Sequence, residues 1–314
     1  MNHNRAVSRV VAVANQKGGV AKTTTVASLG AAFAEHQLRV LLVDLDAQAC
    51  LTFSVGVDSD EVGAGVYEAL AGKVSVADAV QEVGECLDLV PASVELSGVE
   101  VALLPAADRE GALRAMLEPL RAGYDVILLD CSPSLGLLTL NALTAADEVI
   151  IPLQCEMLSH RGVGQLLDTI DDVRRLLNPR LTVRGVLPTM YDGRTGHARA
   201  VLADVGDRYG LPVLLPPIPR SVRFAEAPAV GGTILSTASG SKGAQAYREV
   251  AAGLLTAWRL RPGRPAGRRA ATSTAASTAA STARDAPGVS TATPAGGSHG
   301  ARVHTHDVDG HAGE

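Results

Sequence analysis

The chain has 314 residues, 46% of them apolar and 3% aromatic, so it can form one large or two small domains with a core of Ala, Val and Leu. Its net charge of −5 excludes a globally basic nucleic-acid-binding protein and leaves only a local basic patch for such contacts. No apolar run is long enough to span a bilayer, and no apolar signal follows the polar start. Four scattered cysteines without Cys-x-x-Cys spacing favour a reducing compartment, and we interpret Cys131 as a packing residue.

Apolar runs alternate with helical patterns along the chain. The runs predict strands near residues 9–14, 40–44, 87–91, 125–130, 148–152, 183–188 and 213–216. The patterns predict helices near residues 22–36, 109–121, 137–145, 160–177, 197–208 and 240–259. This alternation predicts an α/β fold, with a mostly parallel, twisted sheet flanked by helices on both faces.

A glycine-bearing loop joins the first predicted strand to the first predicted helix. Backbone N–H groups in such a loop face a phosphate, and the helix dipole favours the anion. Lys22 is therefore predicted to contact the β- and γ-phosphates of a nucleotide, and the Thr23 hydroxyl to bind Mg²⁺. Gly-Gly alone is also typical of a surface turn, but Lys-Thr-Thr at the head of the helix favours phosphate binding. The predicted nucleotide-binding residues of this loop are Gln16, Lys17, Gly18, Gly19, Val20, Ala21, Lys22, Thr23 and Thr24.

This loop departs from the ordinary P-loop pattern. Gln16 and Ala21 occupy positions where that pattern has glycine, and a second lysine, Lys17, stands at the start of the loop. One subunit does not need Lys17 to hold one nucleotide. We therefore expect Lys17 to reach a nucleotide that a second subunit binds.

Two later strands end in carboxylates. The run 40–43 is followed by Asp44 and Asp46, and alternation predicts that both face the phosphates, one supporting Mg²⁺ and one orienting the attacking water. Such a pair is equally typical of a capping feature. The run 126–129 closes on Asp130, as in a Walker B strand whose aspartate binds Mg²⁺. The predicted metal residues are therefore Thr23, Asp44 and Asp130.

Together these stretches resemble the ParA/MinD group of deviant P-loop ATPases, and within it the ParA-type chromosome and plasmid partition ATPases. The matching stretches are 15–25, 40–48, 127–147, 151–156, 185–195 and 218–228, and the resemblance covers about residues 8–258. It implies that ATP and Mg²⁺ are bound, that Lys17 acts across a dimer with Lys22 as the P-loop lysine, and that Asp46 is needed for hydrolysis. It also places Met190 and Pro219 beside the adenine. Ala21 replaces the usual glycine and Ala47 the usual proline, which we expect to alter the rate rather than abolish activity.

The resemblance implies a cytoplasmic, nucleoid-associated protein without a membrane anchor. Its ATP-bound homodimer would bind double-stranded DNA non-specifically, and a ParB-like partner would stimulate hydrolysis and release. Arg194 and Arg223 match positions that contact DNA in relatives, and Arg220 is a further candidate. The alternative is that these arginines pair with nearby acids such as Asp192 or Glu226.

We expect an ATPase domain over residues 1–258 and a disordered tail over 259–314, which is basic and rich in Pro and Gly before its Ala-Ser-Thr repeats. The short start leaves no room for an N-terminal helix-turn-helix domain. A MinD-like membrane switch is the second hypothesis, because Leu254, Leu255 and Trp258 precede several arginines, although Pro262 would break such a helix. A metabolic ligase or reductase of the same superfamily is the third.

Overall fold

A seven-stranded sheet forms the centre of the protein, with strand order β3-β4-β2-β5-β1-β6-β7. The computed structural model describes residues 8–155 and 159–261. All neighbouring strands run parallel except β3, which pairs antiparallel with β4. The strands are β1 (Arg9–Val13), β2 (Val40–Leu45), β3 (Gln81–Gly84), β4 (Leu87–Val90), β5 (Val126–Cys131), β6 (Glu148–Gln154) and β7 (Thr182–Thr189).

Helices connect the strands and cover the sheet. They are α1 (Lys22–Glu35), α2 (Cys50–Ser54), α3 (Val66–Leu70), α4 (Val99–Leu103), α5 (Ala112–Arg121), α6 (Leu137–Ala145), α7 (Ser159–Leu176), α8 (Gly196–Tyr209), α9 (Arg223–Glu226), α10 (Ile234–Thr237) and α11 (Lys242–Trp258). In the described part of the chain, no helix is long and apolar enough to cross a membrane.

The core lies on both faces of the sheet, because side chains alternate along each strand. On β1, Val10 and Ala12 join the cluster built with α5, α6 and α7, whereas Val11 and Val13 join the cluster built with α1 and α11. Both faces are buried, which explains why the strands read as continuous Val and Leu runs. The predicted α/β fold with helices on both faces is confirmed.

Six of the seven predicted strands are present, but the one at 213–216 is wrong. Val213 forms only an isolated bridge with Val186, and the N–H of Leu214 donates to the carbonyl of Val186. The pairing then stops, because Pro216 and Pro217 have no N–H to donate. The prediction also missed β3 and the short helices α2, α3, α4, α9 and α10, whose apolar patterns are too brief to show a period.

The topology brings three motif-bearing strand ends together. β1 lies between β5 and β6, and β5 lies between β1 and β2. Asp130 on β5 pairs in register with Asp44 on β2 and with Val13 on β1. The carboxyl ends of adjacent parallel strands form the usual ligand crevice of such sheets, so the loop after β1 and both aspartates meet there.

Residues 262–314 lie outside the described residues, and the predicted disorder of the tail falls almost entirely on them. His304, His306 and His311, which the tail composition predicts to be a solvated polar end rather than a metal site, also lie outside the described residues.

Candidate nucleotide-binding site

The loop after β1 is held at both ends by side-chain hydrogen bonds. Asn15 donates from Nδ2 to the carbonyl of Pro152 on β6 at 2.7 Å, and its Oδ1 accepts the N–H of Lys17 at 3.0 Å. At the other end, the Thr189 hydroxyl of β7 donates to the carbonyl of Val20 at 3.0 Å. These bonds between strand ends and loop fix the loop above the sheet.

The loop turns into α1 through left-handed backbone. Gly19 has φ +72°, and Ala21, which precedes the first helical residue, has φ +67°. Glycine takes this conformation freely, whereas a Cβ makes it costly. Ala21 therefore stores strain at the point where the N–H groups of α1 face the crevice.

Lys22 points into the loop rather than into solvent. Its side chain is buried, and Nζ donates to the carbonyl of Lys17 at 3.2 Å. Burial lowers the pKa of Lys22, while the neighbouring Asp130, Cys131 and Asp46 act in the opposite direction. A desolvated ammonium inside a loop of N–H groups is well suited to contact an anion.

Asp130 is the most unusual group in the site. It is 1% exposed, and among the described residues neither carboxylate oxygen has a hydrogen-bond partner. Burial raises the pKa of Asp130 well above its usual value, and Asp44 adds to this effect, whereas Lys22 and the nearby Thr23 hydroxyl, which does not reach hydrogen-bond geometry, oppose it. An isolated buried carboxylate is costly, and a divalent cation would relieve that cost. The orphaned carboxylate beside the Thr23 hydroxyl therefore fits Mg²⁺.

Asp44 is held by hydrogen bonds at the end of β2. Its side chain is fully buried, and its two oxygens accept hydrogen bonds from the N–H of Asp46 and from the N–H and hydroxyl of Thr52. Burial raises the pKa of Asp44 to about 6, although these hydrogen bonds lower it. Neither Asp44 nor Asp130 lines the pocket. The hydrogen bonds of Asp44 favour the alternative, a capping role at the start of α2, and its metal role stays a prediction.

The crevice contains a pocket of about 540 Å³. Its lining is Gly18, Gly19, Ala21, Lys22, Thr23, Thr24, Asp46, Gln48, Cys50, Ser54, Pro133, Thr189, Met190, Ile218, Pro219, Arg220, Ser221, Phe224, Ala225 and Tyr247. A volume of this size is typical of sites for cofactor-sized ligands. The phosphate-loop residues lie at one part of this lining, and Met190 and Pro219, the expected adenine neighbours, also line it.

Three predicted loop residues lie outside the lining. Val20 is buried beneath the loop, whereas Gln16 and Lys17 are partly exposed beside it. Conversely, Phe224 and Tyr247 line the pocket from α9 and α11, although neither is among the predicted nucleotide-binding residues. The Tyr247 hydroxyl is 3.0 Å from that of Thr25 on α1, and the two residues are 222 positions apart, so no local pattern could reveal the contact.

The predicted DNA-contacting arginines divide into two groups. Arg220 lines the nucleotide pocket. Arg194 is 91% exposed and pairs with Asp192 at 2.8 Å, and Arg223 lies 3.9 Å from Glu226 with both side chains 61% exposed. Exposed pairs of this kind contribute only about 0–1 kcal/mol, so they leave both arginines available to other anions.

Comparison with known proteins agrees with this geometry. Residues 8–183 match the family described as AAA domain. The chain is 43% identical over 246 residues to the sporulation initiation inhibitor protein Soj of Bacillus subtilis, covering 78% of this chain and 97% of Soj. It is 44% identical over 261 residues to the chromosome partitioning protein ParA of Caulobacter vibrioides, covering 82% of this chain and 98% of ParA.

A solved structure is also similar. It is described as cobyrinic acid a,c-diamide synthase from Mycobacterium smegmatis with bound ATP analog and magnesium. Its sequence is 55% identical, the match covers 81% of this chain and 96% of that chain, and the TM-score is 0.73.

A parallel sheet with a glycine-bearing loop, an inward lysine and a Thr–Asp pair at its carboxyl end defines a P-loop nucleoside triphosphatase. The near-complete coverage of Soj and ParA narrows the class further. The chain belongs to the ParA/Soj family of P-loop ATPases, as its motifs predicted.

Proposed function

We propose that the protein is an ATP-dependent DNA-partition ATPase. ATP and Mg²⁺ bind in the pocket, two subunits close over two nucleotides, and the dimer binds DNA without sequence preference. Hydrolysis, stimulated by a ParB-like partner, separates the subunits and releases the DNA. The observation that carries this proposal is the pair of lysines in one loop: Lys22 turns inward, while Lys17 lies outside the pocket lining.

Each catalytic residue has a distinct task in this proposal. Lys22 supplies positive charge to the phosphates, and Asp46, on the pocket wall, orients the attacking water. Thr23 and Asp130 hold Mg²⁺, which supplies charge neutralisation at the phosphate oxygens when it is bound. Lys17 contacts the partner's nucleotide, so closure of the dimer completes the site.

The DNA surface is carried by Arg194 and Arg223 in this proposal. Both are exposed: Arg223 has one long contact with Glu226, whereas Arg194 donates from Nε and Nη2 to the two carboxylate oxygens of Asp192. Each arginine would exchange its carboxylate for a phosphate when DNA binds. The net charge of −5 makes a single patch weak, and dimerisation doubles it. Arg220 lines the nucleotide pocket. Its assignment to the DNA surface rests only on its position three residues before Arg223.

The MinD-like membrane hypothesis is less well supported. Leu254, Leu255 and Trp258 of α11 are buried, and Trp258 packs on Phe33 of α1. An amphipathic membrane anchor needs an exposed apolar face, and these residues do not provide it. Sedimentation with anionic liposomes and ATP separates the two hypotheses, since only a membrane switch would pellet.

The name of the Mycobacterium smegmatis structure raises a metabolic alternative. One route to amide formation uses a nucleophilic cysteine, which reacts as its thiolate. Cys131 and Cys155 are buried away from the pocket lining, and burial raises the pKa of both. Among the described residues, the cysteine that lines the pocket is Cys50, which is exposed and whose pKa is also raised. These cysteines give that route no support.

The test measures dimerisation and DNA binding together. With a non-hydrolysable ATP analogue, we expect wild type to dimerise and bind unrelated duplexes, and Lys17→Ala to bind the nucleotide but remain monomeric. Arg223→Glu and Arg194→Glu should each dimerise but reduce the slope of log K against log salt by about 2, one contact per subunit. Wild-type protein that binds DNA equally well without nucleotide would contradict the proposal.

A truncation separates the domain from the tail. We propose that residues 1–258 form the ATPase domain and 259–314 a separate tail. A chain that ends at residue 261 should keep ATP-dependent DNA binding. Loss of all DNA binding on truncation would instead place the contacts in residues 262–314, which include the basic part 264–269 of the tail.

A further inference from the structure

The carboxylate of Asp44 is anchored entirely within the segment that follows β2. Its Oδ1 accepts the N–H of Asp46 at 3.1 Å. Its Oδ2 accepts the N–H of Thr52 at 2.9 Å and the Thr52 hydroxyl at 2.7 Å. Asp44 and Thr52 are both fully buried. A carboxylate with three charge-assisted hydrogen bonds at this depth holds a fixed position.

The Thr52 hydroxyl connects the Asp44 carboxylate to the segment that follows β4. It accepts the N–H of Ala92 at 3.0 Å while donating to Asp44. A hydroxyl has one proton to donate and two lone pairs to accept, so both bonds form at once and fix its rotamer. Ala92 follows β4, the neighbour of β2 in the sheet. The end of β2, the start of α2 and the segment after β4 are thus joined through one oxygen.

Asp46 lies between the two anchored residues. It follows the last residue of β2, so no strand ladder holds its backbone. Its own Oδ1 accepts the N–H of Gln48 at 3.0 Å, and both Asp46 and Gln48 line the nucleotide pocket. The carbonyl of Asp46 accepts the N–H of Ala49 at 2.9 Å, which holds the turn on its other side. The position of Asp46 relative to β2 depends on the hydrogen bond from its N–H to Asp44, and the position of Asp44 depends on Thr52.

We propose that Asp44 and Thr52 are positioning residues for ATP hydrolysis, which hold Asp46 against the attacking water without touching the metal or the nucleotide. The inference rests on the proposed role of Asp46 in turnover. Positioning acts on the chemical step, because a carboxylate displaced by about 1 Å can cost about 100-fold in rate. Binding of ATP through Lys22 and of Mg²⁺ through Thr23 and Asp130 does not require it.

Thr52→Val removes the hydroxyl at nearly constant volume. We expect single-turnover phosphate release at saturating ATP to fall about 10- to 100-fold, as for the loss of a group that supports a catalytic residue. The ATP Kd and the half-saturating Mg²⁺ concentration should change less than about threefold, because only the transition-state contact is affected. Thr52→Ser keeps the hydroxyl and should restore most of the rate.

A matched control is Thr144→Val. Thr144 is also buried, but its hydroxyl donates to the carbonyl of Leu140 within α6, and Thr144 does not line the nucleotide pocket. Thr144→Val shows what the same substitution does to the fold, and its rate of phosphate release should match that of wild type. Should Thr52→Val fail to fold, Asp44→Asn tests the same step, because its amide places a donor opposite the donors of Thr52.

The outcomes are distinct. A wild-type rate in Thr52→Val, or an equal loss of rate and ATP affinity, overturns the inference. So does an Asp44→Asn protein whose Mg²⁺ requirement rises more than about tenfold, which would make Asp44 a metal-supporting residue. Wild-type protein that hydrolyses no ATP at all would overturn the proposed function, and the inference with it.

Discussion

The two ends of the sheet differ in how fully their carboxylates are paired. At the amino ends of the strands, Asp125 accepts the N–H and guanidinium of Arg39, and Asp147 accepts the N–H of Val10 and the guanidinium of Arg121. Glu148 is bound by both Arg184 and the indole N–H of Trp258. Each of these carboxylates therefore accepts hydrogen bonds from nearby donors.

At the carboxyl ends, two charged groups are less well satisfied. Asp130 has no hydrogen-bond partner among the described residues, and Lys22 is desolvated. Left-handed backbone occurs at both ends, at Ala21, Ala49 and Met190 here and at Gln37 and Cys86 before β2 and β4. Unpaired charge costs stability and persists where a function requires it. The amino end therefore stabilises the fold, and the carboxyl end is preorganised for a ligand.

Removing the charge of Asp130 should have the largest effect of the predicted variants, because it should lower ATP turnover while raising stability. We expect Asp130→Asn to lower Mg²⁺-dependent ATP turnover at least about 100-fold, because the metal loses its carboxylate. The free energy of unfolding without nucleotide should rise, because an uncompensated buried carboxylate is replaced by a neutral group. Turnover and urea unfolding of the same preparation check both parts. A variant that is less stable than wild type without ligand would contradict the assignment of Asp130 as a strained group.

Features of the site and of the fold differ in how far they could be predicted from the sequence. The loop 15–25 and Asp130 were predictable, because strand, loop and helix follow one another within a few residues. The hydrogen bonding of Asp44 could not be predicted, because alternation alone does not show that Thr52, in the short helix α2, donates to its side chain. The Glu148–Trp258 bond spans 110 positions, so no spacing rule could foresee it.

At the amino ends of the strands, a substitution should lower stability and leave ATP turnover unchanged. Glu148→Gln leaves Arg184 without its partner, and we expect a loss of about 2 kcal/mol, below the range for fully buried pairs because Arg184 is 29% exposed. ATP turnover per folded molecule should stay at the wild-type level. Urea unfolding with and without Mg²⁺-ATP measures both. The double variant Glu148→Gln/Arg184→Met, which removes both charges, should recover part of the loss. A drop in turnover with unchanged stability would make this cluster part of the site.

The stability lost in Glu148→Gln should depend on pH, and the direction of this dependence follows from the pKa of Glu148. Burial would raise the pKa of Glu148, but hydrogen bonds from Arg184 and Trp258 outweigh it and hold the pKa below its usual value. A carboxylate with a depressed folded pKa contributes stability above its unfolded pKa of about 4.3 and loses it as the pH falls through the folded value. The stability difference between wild type and Glu148→Gln should therefore be full near neutral pH and shrink below about pH 4. A difference that grows with acid would contradict the ion pair.

The smallest expected effect concerns the backbone of the loop. Ala21 has φ +67° at the start of α1, where a Cβ costs about 1–2 kcal/mol relative to glycine. Glycine also gains about 0.4–1 kcal/mol of unfolded-state entropy, so Ala21→Gly should stabilise the protein by roughly 0.5–1 kcal/mol net. Gln37→Gly is a matched control, because Gln37 has φ +58° just after the other end of α1 and does not line the nucleotide pocket. Both variants should gain stability in urea unfolding, but only Ala21→Gly should alter ATP turnover. A destabilised Ala21→Gly protein would show that the alanine methyl contributes packing that outweighs its strain. The strain at Ala21 would then be a cost of contact with the neighbouring strands, and the carboxyl end would owe its unusual character to Asp130 and Lys22 rather than to its backbone.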